Sequence, residues 1–164
     1  MDWALPEWIV LALVQEEPRH GFAIAALTAA DGPIGQVWQI PRQMIYRSLG
    51  RLESARLIEP AAVESGPGPQ RTVYRLTTAG QTAVDDWLQQ PVTHVRDLRS
   101  HLLLKLALLD RRGTVSQPLL QRQRAVLEPI VESLRSDKPS GFGAVLQSWR
   151  YTNAAAALRF VDDL

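Results

Sequence analysis

The chain has 164 residues, 46% of them hydrophobic and 21% charged, which is typical of a globular protein with one domain or a small domain plus an appendage. No stretch approaches the ~20 uninterrupted apolar residues of a membrane helix, and the amino terminus lacks a signal-peptide pattern. The absence of cysteine excludes disulfides and thiolate chemistry. We therefore expect a cytoplasmic protein without membrane contact.

The net charge of +1 is divided unevenly along the chain. Residues 1–90 carry seven arginines against ten acidic residues, a charge of −3, whereas the remainder carries eleven basic against seven acidic residues, a charge of +4. Within the acidic half, residues 39–75 hold six arginines and three acidic residues. Because salt screens charges beyond about 8 to 10 Å, this local excess is what a nearby phosphate would experience.

Three helices are predicted in the amino-terminal part. The first opens at Pro6, which a first helical turn tolerates, and its apolar run indicates a mostly buried helix that stops at Pro18. The second follows a turn at residues 17–21 and ends at the Asp31-Gly32-Pro33 break. The third opens at Pro41, where the missing N–H of proline costs nothing.

The third helix has two chemically different faces. At 100° per residue, Ile45, Leu49 and Leu52 fall together and define a buried side. Arginine matches guanine or phosphate and glutamine can pair with adenine, so the opposite side predicts contacts with DNA. Its candidate residues are Gln43, Arg47 and Arg51, with Gly50 among them and with Arg42 and Tyr46 at the margin.

A hairpin is predicted after this helix. Residues 57–64 and 72–76 have strand composition and are joined by a loop rich in glycine and proline, and Pro60 indicates an edge strand. A fourth helix, capped by Thr77 or Thr78, extends to Pro91. Three helices followed by a hairpin is the order of a winged helix-turn-helix. Its wing supplies three further candidates for DNA contact: Gln70, Arg71 and Thr72.

These segments resemble the PadR transcriptional regulators, a family named for the phenolic-acid-decarboxylase repressor. The resemblance covers residues 7–88, and its most specific part is the turn Pro18-Arg19-His20-Gly21-Phe22 joined to the rest. It implies a dimeric repressor that responds to a small molecule. The matching segments are Ile9-Val10-Leu11-Ala12-Leu13, Pro18-Arg19-His20-Gly21-Phe22-Ala23-Ile24, Ile45-Tyr46-Arg47-Ser48-Leu49-Gly50-Arg51-Leu52-Glu53 and Val73-Tyr74-Arg75-Leu76-Thr77-Thr78-Ala79-Gly80.

The chain departs from the family pattern at three places. Gln43 and Met44 stand where small residues usually precede the Leu-Tyr pair, and Arg56 stands where a glycine usually precedes the leucine after the third helix. The wing reads Gly-Pro-Gln-Arg-Thr at residues 68–72, where the family often has Gly-Arg-x-Arg/Lys. These departures leave the expected fold intact and leave the base contacts open.

Three amphipathic helices are predicted after Pro91, at residues 95 to about 110, 115 to about 135 and 143–164. Each buries little apolar surface alone, so they need one another or a second subunit; the resemblance places the dimer contact here. A dimer also lets two winged helices read half-sites about 34 Å apart. We therefore expect a mainly α fold with a small β-hairpin. Residues 1–90 would form a winged-helix DNA-binding domain and residues 91–164 a helical dimerisation domain.

A small aromatic effector is a further expectation. The chain has five tryptophans, and flat aromatic molecules stack on indole rings. Trp149, Trp87 and Trp3 are the candidates to line such a pocket near the dimer contact. The alternative for each is packing in a core or an interface, which is the commoner role of a buried aromatic residue.

The sequence does not indicate an enzyme. His94 and His101 lack a third ligand at metal-binding spacing, His20 is interpreted as a structural hydrogen-bonding residue or a DNA-backbone contact, and we expect no metal and no cofactor. We expect the protein to be a homodimer that binds a double-stranded DNA operator. It would act as a repressor that a small molecule releases from this operator. The alternative is a winged helix that binds protein without a DNA target. The operator, the effector and the choice between repression and activation stay open.

Overall fold

The computed structural model describes residues 3–65 and 68–164, and the fold is mainly helical with one small antiparallel sheet. Seven α-helices and three strands follow one another in the described residues, with a 3₁₀ turn at Val95–Asp97 and a π-helical turn at Leu98–Leu102 before α5. Their bounds are α1 Leu5–Glu16, β1 Arg19–His20, α2 Gly21–Leu27, α3 Arg42–Ser54, β2 Ile58–Glu64, β3 Arg71–Leu76, α4 Thr78–Gln89, α5 Leu103–Arg111, α6 Gln117–Ser136 and α7 Phe142–Asp162.

The chain forms two compact units. The first contains Met1–Leu88 and Leu103–Thr114, and the second contains Gln89–Leu102 and Val115–Leu164. The segment Leu103–Thr114, which the expected division at residue 90 assigns to the carboxy-terminal part, thus groups with the first unit. The functional division into a DNA-binding and a dimerisation domain stays a prediction. Among the described helices, none is long and apolar enough to cross a membrane.

Helix α1 is the centre of the first unit. Five consecutive residues, Ile9 to Leu13, are completely buried, so this helix is covered on every side, as its apolar sequence predicts. It packs against α3, β3 and α5. Near its end, Glu16 accepts two hydrogen bonds from Arg111 of α5, at 2.7 Å each, and Arg19 also pairs with it at 3.0 Å. These contacts hold α1 and α5 together.

The sheet has three strands in the order β1-β3-β2, one more than the sequence predicts. The additional strand is Arg19–His20, which pairs with Tyr74 and Val73 of β3 in the segment expected to be only a turn. Two residues are too short to show a period of two, so only the distant pairing partner makes this segment a strand. Pro60 lies in the edge strand β2, as predicted, and a bulge lies between Pro60 and Ala62.

The second unit is built on α6 and α7, which pack against each other. Gln123 of α6 is completely buried and pairs with the backbone of Val92 in both directions. Its side-chain carbonyl accepts from the Val92 N–H at 2.7 Å, and its amide donates to the Val92 carbonyl at 2.8 Å. This reciprocal pair fixes the segment after α4 against α6 and satisfies backbone groups that burial would otherwise penalise.

Candidate nucleic-acid interface

Helix α3 presents an arginine-bearing face to solvent. Ile45, Leu49 and Leu52 are buried, as the helical periodicity predicts, and Ser48 is buried beside them. Helical geometry then leaves the opposite side chains pointing outward. All five helix residues that the sequence proposes for DNA contact are exposed: Arg42, Gln43, Tyr46, Arg47 and Arg51.

Gly50 leaves a gap on this exposed face. No heavy atom lies within 4 Å of the position that its Cβ would occupy, so internal packing does not require a glycine here. A glycine in mid-helix costs about 1 kcal/mol relative to alanine. The backbone of α3 is therefore bare at this point and open to close approach by a partner.

The wing lies beside α3 and carries the other candidate residues. Gln70 and Arg71 are exposed and Thr72 is half-buried; Arg71 begins β3 opposite Glu64 of β2. Gly66 and Pro67, which belong to the predicted hairpin tip, lie outside the described residues. Arg75 of β3 pairs with Glu59 of β2 at 2.8 Å.

A groove of about 360 Å³ separates α3 from the wing. Its walls are Gly21 and Phe22 at the start of α2, the outward side chains of α3, and residues 69–72 of the wing. A Cβ at Gly21 would lie 2.7 Å from the ring of Tyr46, so the glycine lets α3 approach α2 closely. Among the residues that the structure describes, no acidic side chain lines this groove.

Phe22 lies between two arginines from different elements. The guanidinium carbon of Arg71 is 4.7 Å from the centroid of the Phe22 ring, and that of Arg42 is 5.3 Å from it. Arg42 also lies 5.8 Å from the ring of Tyr46. From the sequence, Phe22 was noted only as the last residue of the family turn, without a role, although its ring is 45% exposed. The signal for its role was an aromatic residue directly after the His-Gly turn.

Arg51 is held by an acidic residue of α1. Its Nη1 atom lies 2.7 Å from Oε1 of Glu7, and its guanidinium carbon is 5.2 Å from the ring centroid of Trp3. Glu7 is only 3% exposed, whereas the arginine side chain is half exposed. Sequence reasoning did not single out Glu7, because an acid in a first helical turn is ordinary and its partner lies 44 residues away.

The other candidate arginines have no acidic partner among the residues that the structure describes. Within the described part of the chain, Arg42, Arg47 and Arg71 form no ion pair. Their charge is therefore available to an external anion. By contrast, Arg51 and Arg75 are each neutralised by a glutamate. The arginines thus divide into those whose charge is paired with a glutamate and those whose charge is not paired within the described residues.

His20 has the structural role that the sequence proposed as one of two readings. Its Nδ1 atom accepts a hydrogen bond from the Ala23 N–H at 3.0 Å and thereby caps α2, while Nε2 lies 3.5 Å from Glu64 of the wing. In the wing, the Tyr74 hydroxyl donates to Glu53 of α3 at 3.2 Å. Burial and this carboxylate raise the pKa of Tyr74. Both contacts connect the wing to the helices.

The three candidate effector-binding tryptophans occupy different settings. Trp87 is buried and stacks on Trp8, with ring centroids 5.3 Å apart and planes at 4°. Trp3 is half-buried and contacts Arg51, as described above. Trp149 of α7 is 69% exposed and belongs to the second unit. Packing therefore accounts for Trp87, whereas Trp149 is accessible.

Lys105 of α5 is buried beside the tryptophan stack. It is 3% exposed, and its Nζ atom lies 4.8 Å from the centroid of the Trp87 ring. Burial lowers the pKa of Lys105 to about 8. This ammonium group therefore loses its proton more readily than an exposed lysine.

A second groove, of about 610 Å³, lies within the second unit. That volume falls in the range of small-molecule sites. Its walls combine an apolar floor with several polar groups from α6, α7 and the segment after α4. They include Pro129, Ile130, Leu134, Trp149, His94, Arg96 and Arg150. Within residues 3–65 and 68–164, no group of three or more potential metal ligands is present.

Comparison with known proteins finds a sequence similarity in the first unit to a family of regulators. Residues 10–86 match the sequence profile described as the transcriptional regulator PadR-like family. A probable transcriptional regulator of Mycobacterium tuberculosis, Rv1176c, is 28% identical over 100 residues, which cover 61% of this chain and 51% of that protein. The chain thus spans about half the length of this curated relative.

Solved structures show the same fold. PadR of Bacillus subtilis in complex with operator DNA superposes with a TM-score of 0.53 and 17% identity, covering 99% of this chain and 97% of that one. The same protein in complex with p-coumaric acid gives a looser match, with a TM-score of 0.47 and 16% identity over 96% and 94% of the two chains. The superposition on the operator complex confirms the winged-helix fold with a helical carboxy-terminal part.

Proposed function

We propose that this chain, whose residues 10–86 match the PadR-like family of transcriptional regulators, is a dimeric, sequence-specific DNA-binding repressor. The observation that carries the proposal is the pairing of an exposed, arginine-bearing α3 with an adjacent wing. Arg42, Arg47 and Arg71 are exposed there without acidic partners among the described residues. The PadR protein of similar fold is known in complex with operator DNA.

The chemistry of α3 suits the major groove of DNA. Arg47 and Gln43 lie on the outward side near the amino-terminal half of the helix, where a helix-turn-helix contacts base edges. Arginine forms a bidentate pair with guanine, and glutamine forms one with adenine. Wing residues Gln70, Arg71 and Thr72 would contact the backbone or the neighbouring groove. The bare backbone at Gly50 allows the helix to lie deep against the duplex.

The experiment that tests this proposal is selection of bound sequences from a random pool of duplex DNA, followed by titrations at several salt concentrations. A regulator yields a consensus, and log K falls by about 0.9 per phosphate neutralised for each tenfold rise in salt. Arg47→Ala should weaken binding to the consensus at least fivefold, because an arginine pair with a base contributes about 1–3 kcal/mol. A pool without a consensus, together with salt-insensitive binding, would favour the alternative of a protein-binding winged helix.

Dimerisation is proposed for the second unit because α7 has an uncovered apolar stripe. Phe142, Val145, Leu146 and Trp149 follow the i, i+3, i+4, i+7 spacing of one helix face, and all four are exposed. A contiguous exposed apolar surface commonly marks an interaction site. A twofold contact through this stripe would give the operator complex two winged helices, as half-site recognition requires.

The dimer proposal is tested by mass measurement in solution. Val145→Asp places a charge within the stripe and is expected to give a monomer by light scattering with size exclusion. Ala144→Asp is the matched control, since Ala144 is exposed on the opposite side of the same helix. Equal masses for both variants and for the wild type would contradict the proposed contact surface.

A small aromatic effector is proposed for the groove of about 610 Å³ in the second unit. Trp149 offers a ring for stacking, and Arg96 and Arg150 would attract an acidic group. Because Trp149 belongs both to this groove and to the α7 stripe, a bound effector would perturb the dimer and release the operator. Trp3 and Trp87 of the first unit are the other candidates.

Fluorescence quenching by a panel of planar phenolic acids tests the effector proposal. The groove predicts saturable quenching in the wild type and its loss in Trp149→Phe. Quenching that survives Trp149→Phe but disappears in Trp87→Phe or Trp3→Phe would move the site to the first unit. The absence of quenching across the panel would favour packing roles for all three tryptophans.

A further inference from the structure

The contacts of Phe22 join two elements that the winged-helix order keeps apart in sequence. Arg42 is the first residue of α3, and Arg71 is the first residue of β3. Both guanidinium groups lie within 5.3 Å of the centroid of one phenylalanine ring. Phe22 is 45% exposed, so it contributes less to the core than to this surface arrangement.

Stacking leaves the hydrogen-bonding capacity of both arginines intact. A guanidinium group stacks through its flat face, whereas its N–H donors point outward from the edge of the plane. Two like charges repel each other, so holding them beside one ring needs either the ring itself or an anion. The described residues that line this groove include no acidic side chain. The described lining supplies no anion, so an anion that binds both arginines in this groove would be an external group such as a phosphate.

We propose that Phe22 is a positioning residue that holds Arg42 of α3 and Arg71 of the wing together, so that both bind the same short stretch of DNA backbone. The proposal rests on the proposed function and adds a residue that makes no base contact itself. It predicts that the ring determines phosphate contacts, and therefore the salt dependence of binding, more than the choice of base sequence.

Three properties of a Phe22→Leu variant test the proposal. Affinity for the operator consensus should fall about fivefold to thirtyfold, because the two arginine side chains must then be ordered on binding rather than beforehand. The slope of log K against log salt should decrease by about one to two, since each phosphate contact contributes about 0.9. The consensus sequence should stay unchanged. Phe22→Tyr keeps the aromatic face and is the matched control, with wild-type affinity and slope.

A double-mutant cycle separates positioning from direct contact. In an Arg42→Ala/Arg71→Ala background, Phe22→Leu should have no further effect on operator affinity, because the residues that it orders are gone. A full additional loss in this background would show that Phe22 acts by itself and would overturn the proposal. Affinity that is unchanged or higher in Phe22→Leu alone would also overturn it.

The outcomes distinguish this inference from the proposed function. If the wild type selects no consensus from random DNA, the proposed function fails before any variant is compared. If the wild type binds a consensus with a steep salt slope and Phe22→Leu has the same slope, only the role of Phe22 fails. Thermal unfolding followed by far-UV circular dichroism verifies that each variant is folded at the temperature of the titration.

Discussion

Replacing Arg51 by alanine is the sharpest perturbation that the first unit offers. In the wild type, Arg51 lies 2.7 Å from Oε1 of Glu7, and Glu7 is only 3% exposed. The second carboxylate oxygen of Glu7 has no hydrogen-bond partner among the described residues. In Arg51→Ala, the carboxylate keeps its buried position at the start of α1 but loses its cation.

The magnitude follows from the burial of the two partners. Removing one member of a fully buried ion pair costs about 3–5 kcal/mol, because the remaining charge is left uncompensated. Arg51 is half exposed, so water can partly replace its guanidinium group, and we expect a loss of about 2–3 kcal/mol in the free energy of unfolding. For a unit of this size, that loss lowers the melting temperature by roughly 10 to 20 °C.

Thermal unfolding followed by far-UV circular dichroism measures the effect. Arg47→Ala is the matched control: Arg47 is one turn earlier on α3, is exposed and has no acidic partner among the described residues, so its loss should cost less than about 0.5 kcal/mol. Adding Glu7→Gln to Arg51→Ala should restore at least about 1 kcal/mol, because it removes the uncompensated charge. Equal melting temperatures for Arg51→Ala and Arg47→Ala would refute the reasoning.

Three further predictions concern other positions of the first unit. Gly50→Ala should stabilise α3 by about 1 kcal/mol in urea unfolding, because the added methyl group meets no atom, and it should weaken operator binding if DNA approaches the helix there. Arg56→Gly should stabilise the chain by about 0.5–1 kcal/mol, since Arg56 has a φ of 58°, which disfavours side chains; no change in the urea midpoint would contradict this strain. Burial lowers the pKa of Lys105 to about 8. Between pH 8 and 10.5, this lysine is therefore protonated in the unfolded chain and mostly neutral in the folded one. The stability of the wild type relative to Lys105→Met should therefore rise over that interval by about 3 kcal/mol at 1.4 kcal/mol per pKa unit, and a pH-independent difference would contradict the lowered pKa.

The helices and strands were predictable where apolar residues recur at regular spacing or where proline and glycine mark the ends of elements. Pro6, Pro18 and Pro41 marked the first and third helices, and two segments of strand composition on either side of the Gly/Pro loop indicated the hairpin. The helical segment expected at residues 95 to about 110 instead divides into a 3₁₀ turn, a π-helical turn and α5. Continuous apolar spacing does not reveal such local changes of helix type, because all three types bury a similar face.

At position 56, a departure from the family pattern has a structural consequence for the backbone. Arg56 stands where the resembled family pattern usually has glycine. In the structure Arg56 has a positive φ directly after α3, and its carbonyl oxygen accepts from the Thr77 hydroxyl at 2.8 Å. This chain thus adopts, at position 56, a backbone conformation that glycine adopts most easily, with a residue that carries a side chain.

The candidate site was less predictable than the fold, because contacts between distant residues decide which arginines are available. The face of α3 followed from its periodicity, but the pairing of Arg51 with Glu7 depends on how α1 packs against α3. In the same way, the position of Phe22 between two arginines depends on where the wing lies. The contact between Arg51 and Glu7 has no signal in local composition, and the aromatic residue after the His-Gly turn does not by itself show which arginines Phe22 contacts.

Charge counting over the whole segment hides the positive charge that the groove between α3 and the wing offers to an external phosphate. The three acidic residues that offset the six arginines of residues 39–75 are engaged elsewhere: Glu53 accepts from Tyr74, Glu59 pairs with Arg75 and Glu64 faces His20. The groove between α3 and the wing keeps two arginines and, in its described lining, no acid. Phosphate responds to the charge within a Debye length of about 8 Å, so the acidic half of the chain presents a basic surface at the position where the proposed duplex would lie.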